Sequence, residues 1–158
     1  MEWNDFPASS RIWIYNSTES FNKEETDSMQ TELESFCESW TSHNNQLFAT
    51  AKIFHNQFIV ILLDESRAGA SGCSIDKSVA FIKNIEQKYA KSLFNRMNFS
   101  YLSKDQVISL NKDAFQAAFE SGEISDDTLV FDHLVNTKND FDLAWTKPLK
   151  DSWHKRFV

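Results

Sequence analysis

The six residues Phe58-Ile59-Val60-Ile61-Leu62-Leu63 are the longest unbroken apolar run in the chain. A run that does not alternate suits a central strand, and it is far shorter than the ~20 residues a membrane-spanning helix needs. The neighbouring segments take their reading from it. Leu47, Ala49, Ala51 and Ile53 alternate with Phe48, Thr50, Lys52 and Phe54, which predicts a strand with one face on the core. His55-Asn56-Gln57 is then a hairpin loop, with Asn56 suited to positive φ. On the other side lies a run of small and polar residues, 64–76, holding Gly69, Gly72 and Cys73. It leads into a helix whose apolar face is Ile75, Val79, Ile82, Ile85 and Tyr89.

The rest of the chain reads in the same way. Arg11-Ile12-Trp13-Ile14-Tyr15 predicts a first strand. Asn22 with Glu25 three residues on makes a capping box for an amphipathic helix over about 23–42, with Met29, Leu33, Phe36, Cys37 and Trp40 on one face. Asn44 and Asn45 tolerate the left-handed conformation expected at its end. Met97, Phe99 and Tyr101 mark a fourth strand. The order strand, helix, strand, strand, helix, strand is that of the split βαβ, or ferredoxin-like, unit. The expectation is one α+β domain over 1–158, an antiparallel sheet with helices on one face. Its ferredoxin-like core covers about 11–102, and 103–158 extend it with a strand at Val107 to Leu110, a helix from Asn111 to Gly122, a strand at 128–131 and a short helix capped by Thr137.

With only three glycines and two prolines in 158 residues the composition is that of an ordered domain, and its length suffices for one core. The net charge of −7 comes entirely from the first forty residues, where nine acids face only Arg11 and Lys23. No basic stripe compensates elsewhere, so nucleic acid is not an expected partner. Cys37 and Cys73 lack the spacing of a zinc site or disulfide framework, and Met1-Glu2-Trp3-Asn4-Asp5 lacks the pattern of a signal peptide. A cytoplasmic protein with reduced thiols follows, with no metal, cofactor or membrane association expected.

Three constellations could carry function. In the 64–76 loop, Gly69 and Gly72 free the backbone for positive φ. The amides at Ser71, Gly72, Cys73 and Ser74 open a helix that could hold a carboxylate or phosphate, and Arg67 could add a charge-assisted contact. The same residues could instead simply cap the helix. Cys73, at a helix N-terminus, is the candidate nucleophile; the available bases are His43, His55, His133 and His154, and Asp64, Glu65 and Asp76 oppose thiolate formation. The tail offers Trp153, His154 and Arg156, which could bind an acidic partner, cover the loop, or form a docked terminal segment. A phosphate-binding loop is excluded, because Gly72 is followed by Cys73, Gly69 by Ala70 and Gly122 by Glu123, where a lysine followed by Ser or Thr is required.

At Gly69-Ala70-Ser71-Gly72-Cys73-Ser74-Ile75-Asp76, with Val79 and Phe81-Ile82 after it, the chain resembles a family of small uncharacterised bacterial proteins often labelled "ABC transporter ATPase". The same resemblance returns at Pro148 to Phe157. It implies a complete, cytoplasmic chain and supplies no catalytic or ligand-binding residues. Three function readings stand: a non-catalytic binding or interaction module with its site at 64–76, taking a small anionic ligand or a protein partner; an enzyme using Cys73; and a structural subunit that forms a homo-oligomer through its aromatic-rich sheet.

Overall fold

A computed structural model describes residues 2–158, with four α-helices and nine strands in antiparallel sheets among them. The apolar run becomes β5 (Phe58–Asp64), the middle strand of a three-stranded sheet, flanked by β1 (Arg11–Asn16) and β4 (Phe48–Phe54). Every residue of β5 is buried, and its two faces have different neighbours. Ile59, Ile61 and Leu63 face α1 (Lys23–Ser39) and α2 (Gly72–Tyr89), packing with Met29, Leu33, Ile82 and Ile85. Phe58, Val60 and Leu62 pack instead with Phe131, Phe141 and Trp145. Two covered faces explain why the run does not alternate.

Of this second set, Phe131 belongs to a four-stranded sheet. It holds β6 (Asn98–Ser103), β7 (Gln106–Asn111), β8 (Leu129–Phe131) and β9 (Thr146–Pro148) in the order β7-β6-β8-β9. Its far face carries α3 (Lys112–Glu120) and the C-terminal 3-10 turns, packed through Phe99, Tyr101, Phe115, Val130 and Leu149. The layers therefore run helices, sheet, sheet, helix. Two small elements complete the list: a hairpin of β2 (Thr41–Ser42) with β3 (Asn45–Gln46), and α4 (Lys138–Ala144).

The mixed α+β class is as the sequence predicts, but the fourth expected strand takes a different place. In a ferredoxin-like sheet it would lie outside β1. Here β6 pairs with β7 along its length and with β8 through Tyr101 and Val130. The flank of β1 is instead met by 136–137, through Ile12 N–H donating to Asn136 O at 3.1 Å and a bridge between Arg11 and Thr137. The first helix also ends at Ser39, three residues short of its expected limit. Asn44 adopts left-handed φ at 66°, but with His43 at 51° it turns the β2–β3 hairpin rather than closing the helix, and Asn45 is not left-handed but begins β3.

Local signals hold where a side chain fixes the backbone. Asn22 accepts from Glu25 N–H at 2.8 Å while Glu25 Oε1 takes the Asn22 N–H at 2.9 Å, the expected capping box. Asn111 and Thr137 cap α3 and α4. Gly122, at φ 82°, ends α3, and the Ile124 N–H returns to Ala118 O. Asn56 takes φ 53° in the β4–β5 turn.

Candidate functional site

The 64–76 loop is built from its own hydrogen bonds. Asp64 Oδ1 accepts from the Ser66 N–H and hydroxyl at 3.0 and 2.6 Å, and Glu65 Oε2 accepts from Ala70 N–H at 3.0 Å. Ser71 and Ser74 form a reciprocal capping box at the start of α2, with Ser74 N–H on Ser71 Oγ at 3.1 Å and Ser71 N–H on Ser74 Oγ at 2.7 Å. Trp40 Nε1–H then donates to Ser74 O at 2.9 Å, tying this end of α2 to the end of α1. The amides of Ser71 and Ser74 are thus spent on capping.

The glycines play a smaller part than the sequence suggests. Gly122 is the only glycine with positive φ among the described residues; Gly69 and Gly72 are not in that region. A Cβ on Gly72 would meet nothing within 4 Å, and one on Gly69 would make ordinary contact with Glu65 Oε2 at 3.6 Å. Gly72 is the first residue of α2, so Gly72→Ala is expected to stabilise the protein by about 0.4–1 kcal/mol. Ser71→Ala, which removes the cap, is expected to cost about 1 kcal/mol. Urea unfolding of the two variants should move in opposite directions; two losses would mean that the loop needs its bare α-carbon.

Cys73 is exposed and Cys37 is buried. Among the described residues no hydrogen bond joins the Cys73 thiol to a histidine. Burial, with added repulsion from Glu34 and Glu38, pushes the Cys37 thiol up to about 12. Titration of the native chain with a chromogenic disulfide reagent is therefore expected to modify one thiol quickly and the second only on unfolding. Two fast thiols would contradict the burial of Cys37.

The tail does not reach the loop. Trp153, His154 and Phe157 pack on Phe99 in the outermost layer, at ring-centroid distances of 5.5, 4.8 and 5.3 Å, whereas Ala68 and Ala70 of the loop pack with the α1–α2 cluster. The bases around the tail are mostly engaged within the chain. Lys155 meets Asp126 at 2.6 Å, Lys150 meets Asp127 at 3.1 Å and Lys147 meets Asp132 at 2.7 Å. Arg156 stays exposed. Asp126 and Asp127 are thus ion-pair partners of the tail.

Two histidines that the sequence offers as bases serve as polar fillers, His154 buried and His133 half-buried. His154 accepts or donates through Nδ1 to Ser152 Oγ at 2.6 Å, and burial lowers its imidazole to about 4. His133 lies at a polar seam between the sheets, where burial holds it down at about 3 with a smaller push from His154. Trp145 Nε1–H donates to His133 Nδ1 at 3.2 Å, and His133 Nε2 lies 3.1 Å from Asn16 Nδ2. From Asn16 the seam continues through Ser100 to Ser109, joined at 2.6 Å, and to Gln57, which reaches Ser109 at 2.7 Å. Among the described residues no group of three His, Cys, Asp or Glu side chains is placed to hold a metal, and no helix is long and apolar enough to cross a membrane.

What the loop does join is a groove. A cavity of about 880 Å³ runs beside β4, between α1 and the N-terminal 3-10 turn Trp3–Asp5. A second, of about 630 Å³, lies against the β2–β3 hairpin and includes His43, Ala68 and Gly69. Gln46, Phe48 and Arg67 line both. The Arg67 guanidinium sits 4.5 Å from the centre of the Phe48 ring and 3.9 Å from Asp64, with half of its side chain exposed. Stacking and charge fix its direction while leaving its donors available. The groove was not legible in the sequence, because its walls come from residues 2–6, 26–38 and 46–53. No family model, curated protein or solved structure matches the chain.

Proposed function

We propose that the chain is a non-catalytic interaction module that holds a protein segment in the groove beside β4, with the 64–76 loop contributing Arg67, Ala68 and Gly69 at one end. The observation that carries this reading is that Gln46, Phe48 and Arg67 line two cavities, which together hold far more space than the turn at α2 could offer. Of the two ligand classes expected from the sequence, the groove favours a protein segment over a small anion. Its lining includes Glu2, Asp27, Glu34 and Glu38 against Lys52 and Arg67, so an anion would meet an unfavourable field except near those two cations. The two cysteines are free, which suits a reducing compartment, and the reading places the module in the cytoplasm.

Proteins captured on the immobilised chain, each then purified and titrated against it, test the reading. An authentic partner is expected to shift groove resonances of the labelled chain and to lose about tenfold in affinity with Arg67→Ala. Partners whose binding ignores Arg67 and whose shifts fall outside the groove would sink it.

A further inference from the structure

Resting on that reading, we infer that the occupant of the groove is an extended segment bearing Lys or Arg side chains, added to β4 as a further strand. β4 ends the order β1-β5-β4, so among the described residues it has a strand partner on one side only. The direction of its outer groups is fixed by Gln30, whose Nε2 donates to Ala51 O at 3.0 Å from α1. The Ala51 carbonyl therefore points away from β5, and by the two-residue alternation of a strand so do the N–H and C=O groups of Ala49 and Ile53. Gln30 holds one acceptor of a row that an incoming strand would satisfy with peptide N–H groups.

The space suits a strand. β4 is seven residues long, roughly 23 Å at ~3.3 Å per residue, and Ala49 and Ala51 are small enough to leave the neighbouring position open. The charge selects the kind of strand. Glu34 and Glu38 stand exposed on the α1 wall, and their negative field already reaches the groove floor, where it adds to the rise in the Cys37 thiol. A second copy of the chain is a poor occupant, because edge-to-edge pairing would bring two such acidic walls together at a net charge of −7 each. Basic side chains alternating along an extended segment would face these acids while its backbone pairs with Ala49, Ala51 and Ile53.

Random octapeptides displayed on phage and selected on the folded chain supply the probe. The expected peptides are rich in Lys and Arg, slow hydrogen exchange at the Ala49 and Ile53 amides, and lose at least about tenfold in affinity when alternate backbone nitrogens are methylated. Glu34→Gln with Glu38→Gln, both at exposed positions, should weaken them and flatten their salt dependence. Selected peptides that are acidic, or that bind in the groove despite methylation, overturn this inference and leave the groove as a binding site. Failure to select any peptide that shifts groove resonances overturns both.

Discussion

Replacing Phe58 with alanine is expected to lower the unfolding free energy by about 3–5 kcal/mol, a large part of the ~5–15 kcal/mol typical of a domain. Phe58 is fully buried where the two sheets meet, with the rings of Phe131, Trp145 and His133 at 4.8, 5.1 and 5.3 Å. Those rings come from β8, the segment after it and the C-terminal end of α4, whereas Phe58 begins β5. Truncation opens a cavity between elements that cannot collapse toward each other without disturbing both sheets. In a domain of this length the loss corresponds to a melting temperature lower by about 10 °C. Leu143→Ala, at a position 77% exposed, is the control and should change stability by no more than about 0.5 kcal/mol. If Phe58→Ala costs less than about 1 kcal/mol in urea unfolding, the sheets do not pack through this ring.

The same interface shows how far the sequence could be read and where it stopped. Alternation at Met97, Phe99 and Tyr101 identified a strand, because period two reports which way side chains point. It carries no information about the neighbouring strand, and β6 found β7 and β8 on its two sides. The positions that alternate with Met97, Phe99 and Tyr101, Asn98 and Ser100, are polar and yet buried. Ser100 and Ser109 join a hydrogen-bonded seam that begins at Asn16. Capping was legible at Asn22, Asn111 and Thr137 because each depends on residues three apart, and the same locality made Ser71 and Ser74 readable as a cap. The groove beside β4 depends on strand order and on a wall at Trp3, neither of which is written in any short stretch. Arg67 was found as a member of the loop, but its setting over Phe48 joins residues from a loop and an edge strand.

His133 and His154 make the second large effect one of pH. Burial lowers their imidazoles to about 3 and about 4 in the folded chain, against ~6.5 when unfolded. Above pH ~6.5 both are neutral in both states and contribute nothing to the pH dependence. Below it the unfolded chain binds protons that the folded chain excludes, so stability falls as pH falls, and the loss is complete only near the folded values. Between pH 7 and pH 5 the two together should cost on the order of 2–4 kcal/mol. The geometry supports the sign at His133: the Trp145 indole N–H occupies Nδ1, so a second proton there would break that bond and place a charge between the sheets. His133→Gln and His154→Gln should each remove about half of the slope whatever they do to stability at pH 7. Equal urea midpoints at pH 7 and pH 5 in the parent chain would show that neither imidazole is held neutral, and that the seam between the sheets admits charge.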